Sequence, residues 1–310
     1  MGETTALIGL DWGTSSLRAY RLAATGGVLE RRRADLGILG IAGGAFEDAL
    51  SAFLGDWLRA GPAVPLLASG MITSRQGWVE TPYLPCPVTV EALAAALVER
   101  RLRSGHRILF VCGLSTRGTD GVPDVMRGEE TQIAGALAEG VSARLLVLPG
   151  THSKWVRCAE GRIVDFATMM TGELYELLRR HSILGRLMRE GEEDGEAFAR
   201  GVARGMADDP ASGGLLHRLF GVRSLGLLGE VPPPGLASYL SGLLLGSELR
   251  EAALLFGTRE VPGLIGEPGL VERYRAACAG VGRPCRVLPP DLAARGLFEL
   301  ARRSGILDSP

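Results

Sequence analysis

An apolar run, Leu7-Ile8-Gly9-Leu10, delivers a carboxylate, Asp11, into Trp12-Gly13-Thr14-Ser15-Ser16, with Arg18 just beyond. Read as strand, tight turn and second strand, the segment exposes backbone N–H groups and short hydroxyls that can wrap a phosphate without steric conflict. Asp11, at the strand end, is placed to orient a hydrated Mg²⁺ against that phosphate. The helix-opening pattern G-x-x-x-x-G-K-[ST] is absent, so the chemistry would be that of a phosphate-binding hairpin. Asp-x-Gly turns also occur in ordinary hairpins. The same plan recurs at 144–156, where an apolar strand runs into Pro149-Gly150-Thr151-His152-Ser153-Lys154-Trp155. Lys154 is the only lysine and asparagine is absent, a bias suited to a GC-rich genome. A lysine kept against that bias fits a place where a compact ammonium touches a phosphate as a point charge. Chance retention is the plainer alternative.

These turns need strands to carry them and helices to back them. Residues 7–10 and 18–22 form the opening hairpin, and 45–57 has Phe46, Leu50, Phe53, Leu54 and Trp57 at helical spacing. A short strand over 64–68 ends in Ser69-Gly70, an Ala/Leu-rich helix is expected over 90–103, and a strand over 107–112. A helix starts near Gly128, followed by strands at 145–148, 154–158 and 162–167 and a long helical region from 173 to about 204. Pro232-Pro233-Pro234 is the clearest break. The helix beyond it, 236–255, carries Gly242 and Gly246 one turn apart, which would let another helix approach closely unless they only reflect abundant glycine. A strand at 261–265 and a helix at 270–279 follow. Strands separated by helices predict an α/β fold with mixed sheets. The repeated plan predicts two hairpins facing each other across a cleft, clamping a nucleoside triphosphate and excluding water on closure.

A length of 310 residues suffices for two domains. A net charge of −1 argues against a nucleic-acid footprint, and Arg31-Arg32-Arg33 reads as the solvated end of a strand. Cys86, Cys112, Cys158, Cys278 and Cys285 lack zinc spacing and read as reduced thiols of a cytoplasmic protein. Met1-Gly2-Glu3-Thr4-Thr5 has no basic leader region. The longest apolar stretch, 236–256, is broken by Glu248, Arg250 and Glu251 and is too polar to span a bilayer. Neither a membrane nor a nucleic acid is expected as partner, and the oligomeric state stays open.

Asp11-Trp12-Gly13-Thr14-Ser15-Ser16-x-Arg18 resembles the first phosphate motif of the sugar-kinase, heat-shock chaperone and actin superfamily. Further stretches narrow the likeness: Gly70-Met71-Ile72-x-Ser74-Arg75-Gln76-Gly77-Trp78, Arg127-Gly128-Glu129-Glu130-Thr131-Gln132, Leu148-Pro149-Gly150-Thr151-His152-Ser153-Lys154-Trp155 and Met170-Thr171-Gly172-Glu173-Leu174. Together they are similar to the 2-oxo-3-deoxygalactonate kinases of galactonate catabolism. The likeness covers almost the whole chain, including Tyr239-Leu240-Ser241-Gly242 and Gly266-Glu267-Pro268. It implies an α/β, two-domain actin-like ATPase (ribonuclease H-like) fold, each domain a mixed sheet flanked by helices, with an interdomain nucleotide cleft. Residues 1–127 would carry the first phosphate loop and the sugar-acid loop. Residues 128–310 would carry the interdomain helix, the second loop and the adenosine region, with the last helix returning to the first domain.

The implied activity is transfer of the γ-phosphoryl group of ATP, with Mg²⁺, to the 6-hydroxyl of 2-dehydro-3-deoxy-D-galactonate. Asp11, Gly13, Thr14, Ser15 and Arg18 match the first loop, with Asp11 serving the metal; Gly150, Thr151, Ser153 and Lys154 match the second, and Gly266 the adenosine region. The second loop lacks the superfamily's leading carboxylate, having Leu148-Pro149, and the adenosine region has one glycine where many relatives have more. Glu129 and Glu130 open the helix where relatives place a catalytic carboxylate; neighbours on a helix point about 100° apart, so only one can face a cleft. Asp124 is the fallback base. The acid end of the substrate calls for a fork of donors, for which Arg75 is the leading candidate and the helix start at Thr171 and Gly172 the alternative. Ser74 and Gln76 flank Arg75 to meet hydroxyls, while Trp78 either covers a carbon face of the sugar acid or caps the core. His152 reads as an architectural hydrogen-bonder. Competing readings are a kinase of a related sugar acid or neutral sugar, and a non-catalytic nucleotide switch of the same fold, for whose peptide-binding domain the chain ending at Pro310 leaves no room.

Overall fold

The apolar run at 7–10 becomes the middle of a sheet. The computed structural model describes residues 4–59, 64–118, 121–209, 211 and 213–308; of the segment read for a leader, residues 1–3 lie outside the described residues. The elements in chain order begin with β1 (Thr5–Trp12), β2 (Leu17–Ala23), β3 (Val28–Ala34), α1 (Phe46–Leu54), α2 (Asp56–Arg59) and β4 (Leu66–Ser69). Next come β5 (Tyr83–Pro85), β6 (Val88–Thr89), α3 (Val90–Ala95), β7 (Val98–Arg101), β8 (Arg107–Phe110), β9 (Gly113–Arg117), β10 (Pro123–Met126) and α4 (Glu129–Ala138). Then follow β11 (Leu145–Leu148), β12 (Ser153–Ala159), β13 (Arg162–Met169), α5 (Thr171–His181), α6 (Gly195–Met206) and α7 (Leu215–Leu227). The chain closes with α8 (Gly235–Phe256), β14 (Gly263–Leu264), α9 (Pro268–Gly280), β15 (Arg286–Val287) and α10 (Leu292–Arg303).

The chain forms two compact units, one of Met1–Ser142, Cys158–Phe166 and Pro289–Pro310, the other of Ala143–Arg157 and Ala167–Leu288. In the first, a sheet of order β3-β2-β1-β4-β8-β7 has β1 pairing β2 antiparallel and β4 parallel. A strand buried on both faces reads as a continuous apolar run, and Leu7, Ile8 and Leu10 are fully buried. On one face Ile8, Leu10 and Trp12 pack with Phe46, Leu50, Leu54 and Trp57. On the other, Gly9 makes room for α10: a Cβ there would lie 2.9 Å from Leu297 Cδ1. A small sheet of order β10-β9-β5 and the tip of β13, paired with β6, complete this unit. Within the first unit α4 packs against α10: a Cβ on Gly296 would lie 1.8 Å from Thr131 O.

Two expected helices are shorter than their composition suggested. The one over 90–103 stops at Ala95, because Leu102 and His106 close a turn that folds 98–101 back onto β8 as a strand. The region from 173 to about 204 is two helices: the Ser182 hydroxyl caps back onto Leu178 O, and Asp194 starts α6 by accepting from Ala197 N–H. The helix over 45–57 breaks at Gly55 into α1 and α2. The three-stranded sheet and α7 were not assigned from sequence, and the last helix, α10, was expected there without bounds. Among the described residues the five cysteines are free, and no helix is long and apolar enough to cross a membrane.

In the second unit β14 and β12 flank β11, parallel and antiparallel respectively, and β15 pairs β14. Behind this sheet α6 and α8 cross backbone to backbone through Gly201, Gly205, Gly242 and Gly246, so the spacing noted in the sequence does permit close approach. A Cβ on Gly242 would lie 2.1 Å from Phe198 O. Alanine gains up to about 1 kcal/mol of helix propensity over glycine, whereas overpacking costs about 1–3 kcal/mol and here meets backbone that cannot rotate aside. Gly242→Ala is therefore expected to lower the unfolding free energy by about 1–2 kcal/mol in urea denaturation; an unchanged midpoint would show that the two helices part without penalty.

Candidate active site

Asp11 stands one residue before the end of β1, paired across the ladders with Arg18 on β2 and Ser69 on β4. Its Oδ2 accepts from Arg18 Nη1 at 3.3 Å. Burial raises the Asp11 carboxyl above its ordinary range, and Arg18 partly offsets this. The turn after it is closed by Gly13 N–H donating to Ser16 O at 2.9 Å. Its back rests on Gly37, where a Cβ would lie 2.0 Å from Thr14 O, while Thr14 and Ser15 face solvent at the tip. A carboxylate thus sits at the root of a turn whose free face carries short hydroxyls.

Two glycines bring other elements up to this turn. Gly70 (φ 96°) follows β4 so closely under β1 that a Cβ would lie 2.7 Å from Trp12 O. Gly128 (φ 108°) meets Gly70, with 3.1 Å between its would-be Cβ and Gly70 Cα. Both conformations belong to glycine. The start of α4 is thereby set beside the Asp11 turn. Its first two carboxylates differ sharply: Glu129 is half-buried and accepts from Arg127 N–H at 3.1 Å, whereas Glu130 is fully buried and accepts from Gly128 N–H at 2.6 Å. Burial, with Glu129 beside it, pushes the Glu130 carboxyl up to about 8. Asp124 lies on β10, where its carboxylate accepts from Val125 N–H at 2.7 Å.

The segment after Gly70 is held at both ends by one residue that sequence reasoning passed over. Buried Arg127 donates from Nη1 to Thr73 O, Thr73 Oγ1 and Thr81 Oγ1 at 2.6–2.7 Å and from Nη2 to Thr81 O at 3.0 Å, with the Tyr83 ring 4.3 Å from its guanidinium carbon. Between these anchors Arg75 and Gln76 are exposed, Ser74 is buried with no hydrogen bond from its Oγ among the described residues, and Trp78 packs between Phe46 and Phe110. The Trp78 ring is half-buried against that core.

In the second unit, Pro149 to His152 turn β11 into β12. The start of α5 rests on this turn: Glu173 N–H donates to Thr151 O at 2.9 Å, the Glu173 carboxylate meets the His152 ring, and a Cβ on Gly172 would lie 2.5 Å from Gly150 O. Thr151 is exposed, but Ser153 is buried and its Oγ donates to Glu248 at 3.0 Å. Lys154 is 5% exposed and donates to His152 O at 3.3 Å, so its ammonium braces the turn's own backbone. A cavity of about 650 Å³ opens beside the turn, its wall including Gly150, Thr151, Thr171, Leu270, Arg273 and Tyr274. That volume suits a small-molecule site. Gly266, between β14 and α9, borders Pro149 of the same turn. Glu248 is the second residue missed; its signal was a carboxylate in the middle of an otherwise apolar helix.

The family model for 2-keto-3-deoxy-galactonokinase matches residues 11–300, from the Asp11 turn to the last helix. The chain belongs to this family. It is 34% identical over 290 residues to 2-dehydro-3-deoxygalactonokinase of Escherichia coli K12, covering 94% of this chain and 95% of that one. A crystal structure of a protein from Sinorhizobium meliloti, titled with the same activity, superposes with a TM-score of 0.87 at 35% identity, covering 96% of this chain and 98% of the other. The activator of 2-hydroxyisocaproyl-CoA dehydratase from Clostridium difficile, only 10% identical, shares the fold with a TM-score of 0.51 over 96% of this chain and 95% of its own. The fold is thus the actin-like ATPase α/β fold, and in this chain it carries two Gly-Thr turns.

The Glu130 carboxyl, raised by burial to about 8, has a testable consequence. Between the ordinary carboxyl range and that value the folded kinase binds a proton that the unfolded chain has released, so this group makes stability fall as pH rises through the window. Glu130→Gln, whose amide oxygen can still accept from Gly128, should flatten that fall and be at least as stable as wild type at pH 8. Melting temperatures at pH 5.5 and 8 check it; a variant with the wild-type slope would show that Glu130 is ionised in its buried place.

Proposed function

We propose that this chain transfers the γ-phosphoryl group of ATP to the 6-hydroxyl of 2-dehydro-3-deoxy-D-galactonate, giving 2-dehydro-3-deoxy-6-phosphogalactonate in galactonate catabolism. The observation that carries this reading is the family match over nearly the whole length, both turns included. We assign the cavity beside the second turn to the adenosine and its phosphates, with Gly150 and Thr151 in its wall and Gly266 beside Pro149 of the same turn; its volume supports this. Thr14 and Ser15 would present amides and hydroxyls to the transferring phosphate, with Gly13 closing the turn behind them and Arg18 adding charge. Lys154 would act through the turn it braces. Mg²⁺ takes one or two carboxylates together with substrate phosphates and keeps several waters, and a single Asp11 among turn hydroxyls fits that demand. When bound, the ion neutralises charge on the β- and γ-phosphates. That the reaction consumes ATP and a sugar acid supports a cytoplasmic place for the enzyme.

The base is Glu129. Supporting it are its half-buried carboxylate and its bond to Arg127 N–H, against a Glu130 that is sealed in and, with a value of about 8, protonated near neutral pH. A carboxyl that already holds its proton cannot take up that of a hydroxyl. Arg75 and Gln76 meet the acid end and a hydroxyl of the substrate, on a loop whose ends Arg127 fixes. Ser74, buried and without a bond partner among the described residues, is held for the same ligand. Trp78 supports the loop from the core, and Ser153 and Thr171 support the second turn from within. In transfer, Glu129 takes the proton of the 6-hydroxyl as oxygen attacks phosphorus, worth about 10²–10⁴ in rate; the rest is positioning and charge neutralisation.

Incubation with ATP, Mg²⁺ and the sugar acid, followed by ³¹P NMR and coupled ADP release, tests the proposal. ADP release should depend on the sugar acid and yield a 6-phosphate monoester, and Glu129→Gln should lose about 10²–10⁴ in kcat with KM changed little. ATP turnover indifferent to the sugar acid would instead describe a nucleotide switch, and full activity in Glu129→Gln would move the base to Asp124.

A further inference from the structure

Glu248 sits in the middle of α8 with 3% of its surface exposed. Its Oε1 accepts from Trp155 Nε1 at 2.7 Å and its Oε2 from Ser153 Oγ at 3.0 Å; Tyr274 OH reaches both oxygens at 2.8–2.9 Å. The Thr171 hydroxyl is a fourth donor. Among the described residues no cation pairs with it. A buried carboxylate without a cation is costly unless hydrogen bonds replace its water. Here four donors do so, and they come from three other elements: Ser153 and Trp155 from β12, Thr171 from α5 and Tyr274 from α9.

Two of those elements, α5 and α9, line the cavity assigned to ATP, and the third, β12, follows directly on the turn that lines it. Ser153 ends the second turn, Thr171 opens the helix whose next residues bond that turn, and Thr171 and Tyr274 line the wall. A carboxylate only accepts, so each hydroxyl facing it is turned to donate inward. Ser153 and Thr171 therefore offer no hydrogen to a ligand. The turn presents its backbone N–H groups and Thr151 instead.

We infer that Glu248 is a positioning residue of the nucleotide site, fixing the second turn, the start of α5 and the α9 wall in one geometry through its four donors. The inference rests on the assignment of this cavity to ATP. Glu248→Gln keeps the volume but sets an amide N–H₂ against converging donors, so the set must rearrange. Tyr274→Phe removes one donor and leaves the carboxylate in place. The test is calorimetric binding of ADP with Mg²⁺, together with KM for ATP and for the sugar acid, on variants whose melting shows them folded. Glu248→Gln should weaken ADP and raise the ATP KM by about tenfold or more, as for loss of a charged hydrogen bond, and Tyr274→Phe by a smaller factor, with the sugar-acid KM within about twofold of wild type in both. Wild-type ADP affinity in folded Glu248→Gln overturns the inference, as does an equal rise in both KM values, which would mark a general structural role. Should Glu248→Gln fail to fold, wild-type affinity in Tyr274→Phe overturns it. No ADP binding by the wild-type protein would overturn the nucleotide assignment itself and this inference with it.

Discussion

Backbone meets backbone at Gly70 and Gly128, against the carbonyl of Trp12, and much of the first unit depends on that contact. Neither position has room for a side chain, and both hold φ values that other residues adopt only at a cost. Through this contact the end of β4 and the first turn of α4 come to lie beside the turn that follows Asp11. Arg127, the residue before Gly128, then reaches Thr73 and Thr81 and anchors the exposed loop carrying Arg75 and Gln76. Glu129, the residue after Gly128, has its carboxylate drawn to Arg127 N–H. Three consecutive residues thus fix the exposed loop of Arg75 and Gln76, the helix start and the candidate base.

The two Gly-Thr turns look alike in sequence but are supported in opposite ways. The first has its carboxylate in front, Asp11, at the root of the turn and balanced by Arg18. The second has none in front, where Leu148-Pro149 stands, and instead keeps Glu248 behind it, beyond the reach of solvent. One arrangement suits a hydrated cation and the other a wall that must hold its shape. A buried ionic group of this kind is weak evidence for stability. Its value here lies in direction, since four donors from three elements converge on one point.

Much of this was legible in the sequence where it is local. The continuous apolar run marked β1 as a buried strand, the Gly-Thr-Ser turns marked two hairpins, and Gly242 with Gly246 marked a close helix crossing. What stayed hidden depends on partners far along the chain: Glu248 meets Trp155 and Ser153 across 93 and 95 residues, and Arg127 meets Thr73 across 54. No spacing rule reaches that far. Glu248 was read only as a charge that interrupts an apolar helix. Rarity singled out Lys154 but could not say that its ammonium folds back onto its own turn. The helix expected over 90–103 failed for a different reason, since Ala and Leu favour a helix only until a turn at 102–106 offers the following residues a strand partner.

The central claim is that the Gly128 backbone sets the candidate base and the Asp11 turn in register. Misplacing reacting groups by about 1 Å costs on the order of 10²-fold in rate, and an alanine at φ 108°, its Cβ 3.1 Å from Gly70 Cα, must shift the start of α4. The direct measurement is kcat of Gly128→Ala with ATP and the sugar acid, on protein shown folded by circular dichroism. A fall of about 10²-fold or more is expected; wild-type turnover in a folded Gly128→Ala enzyme would contradict the account.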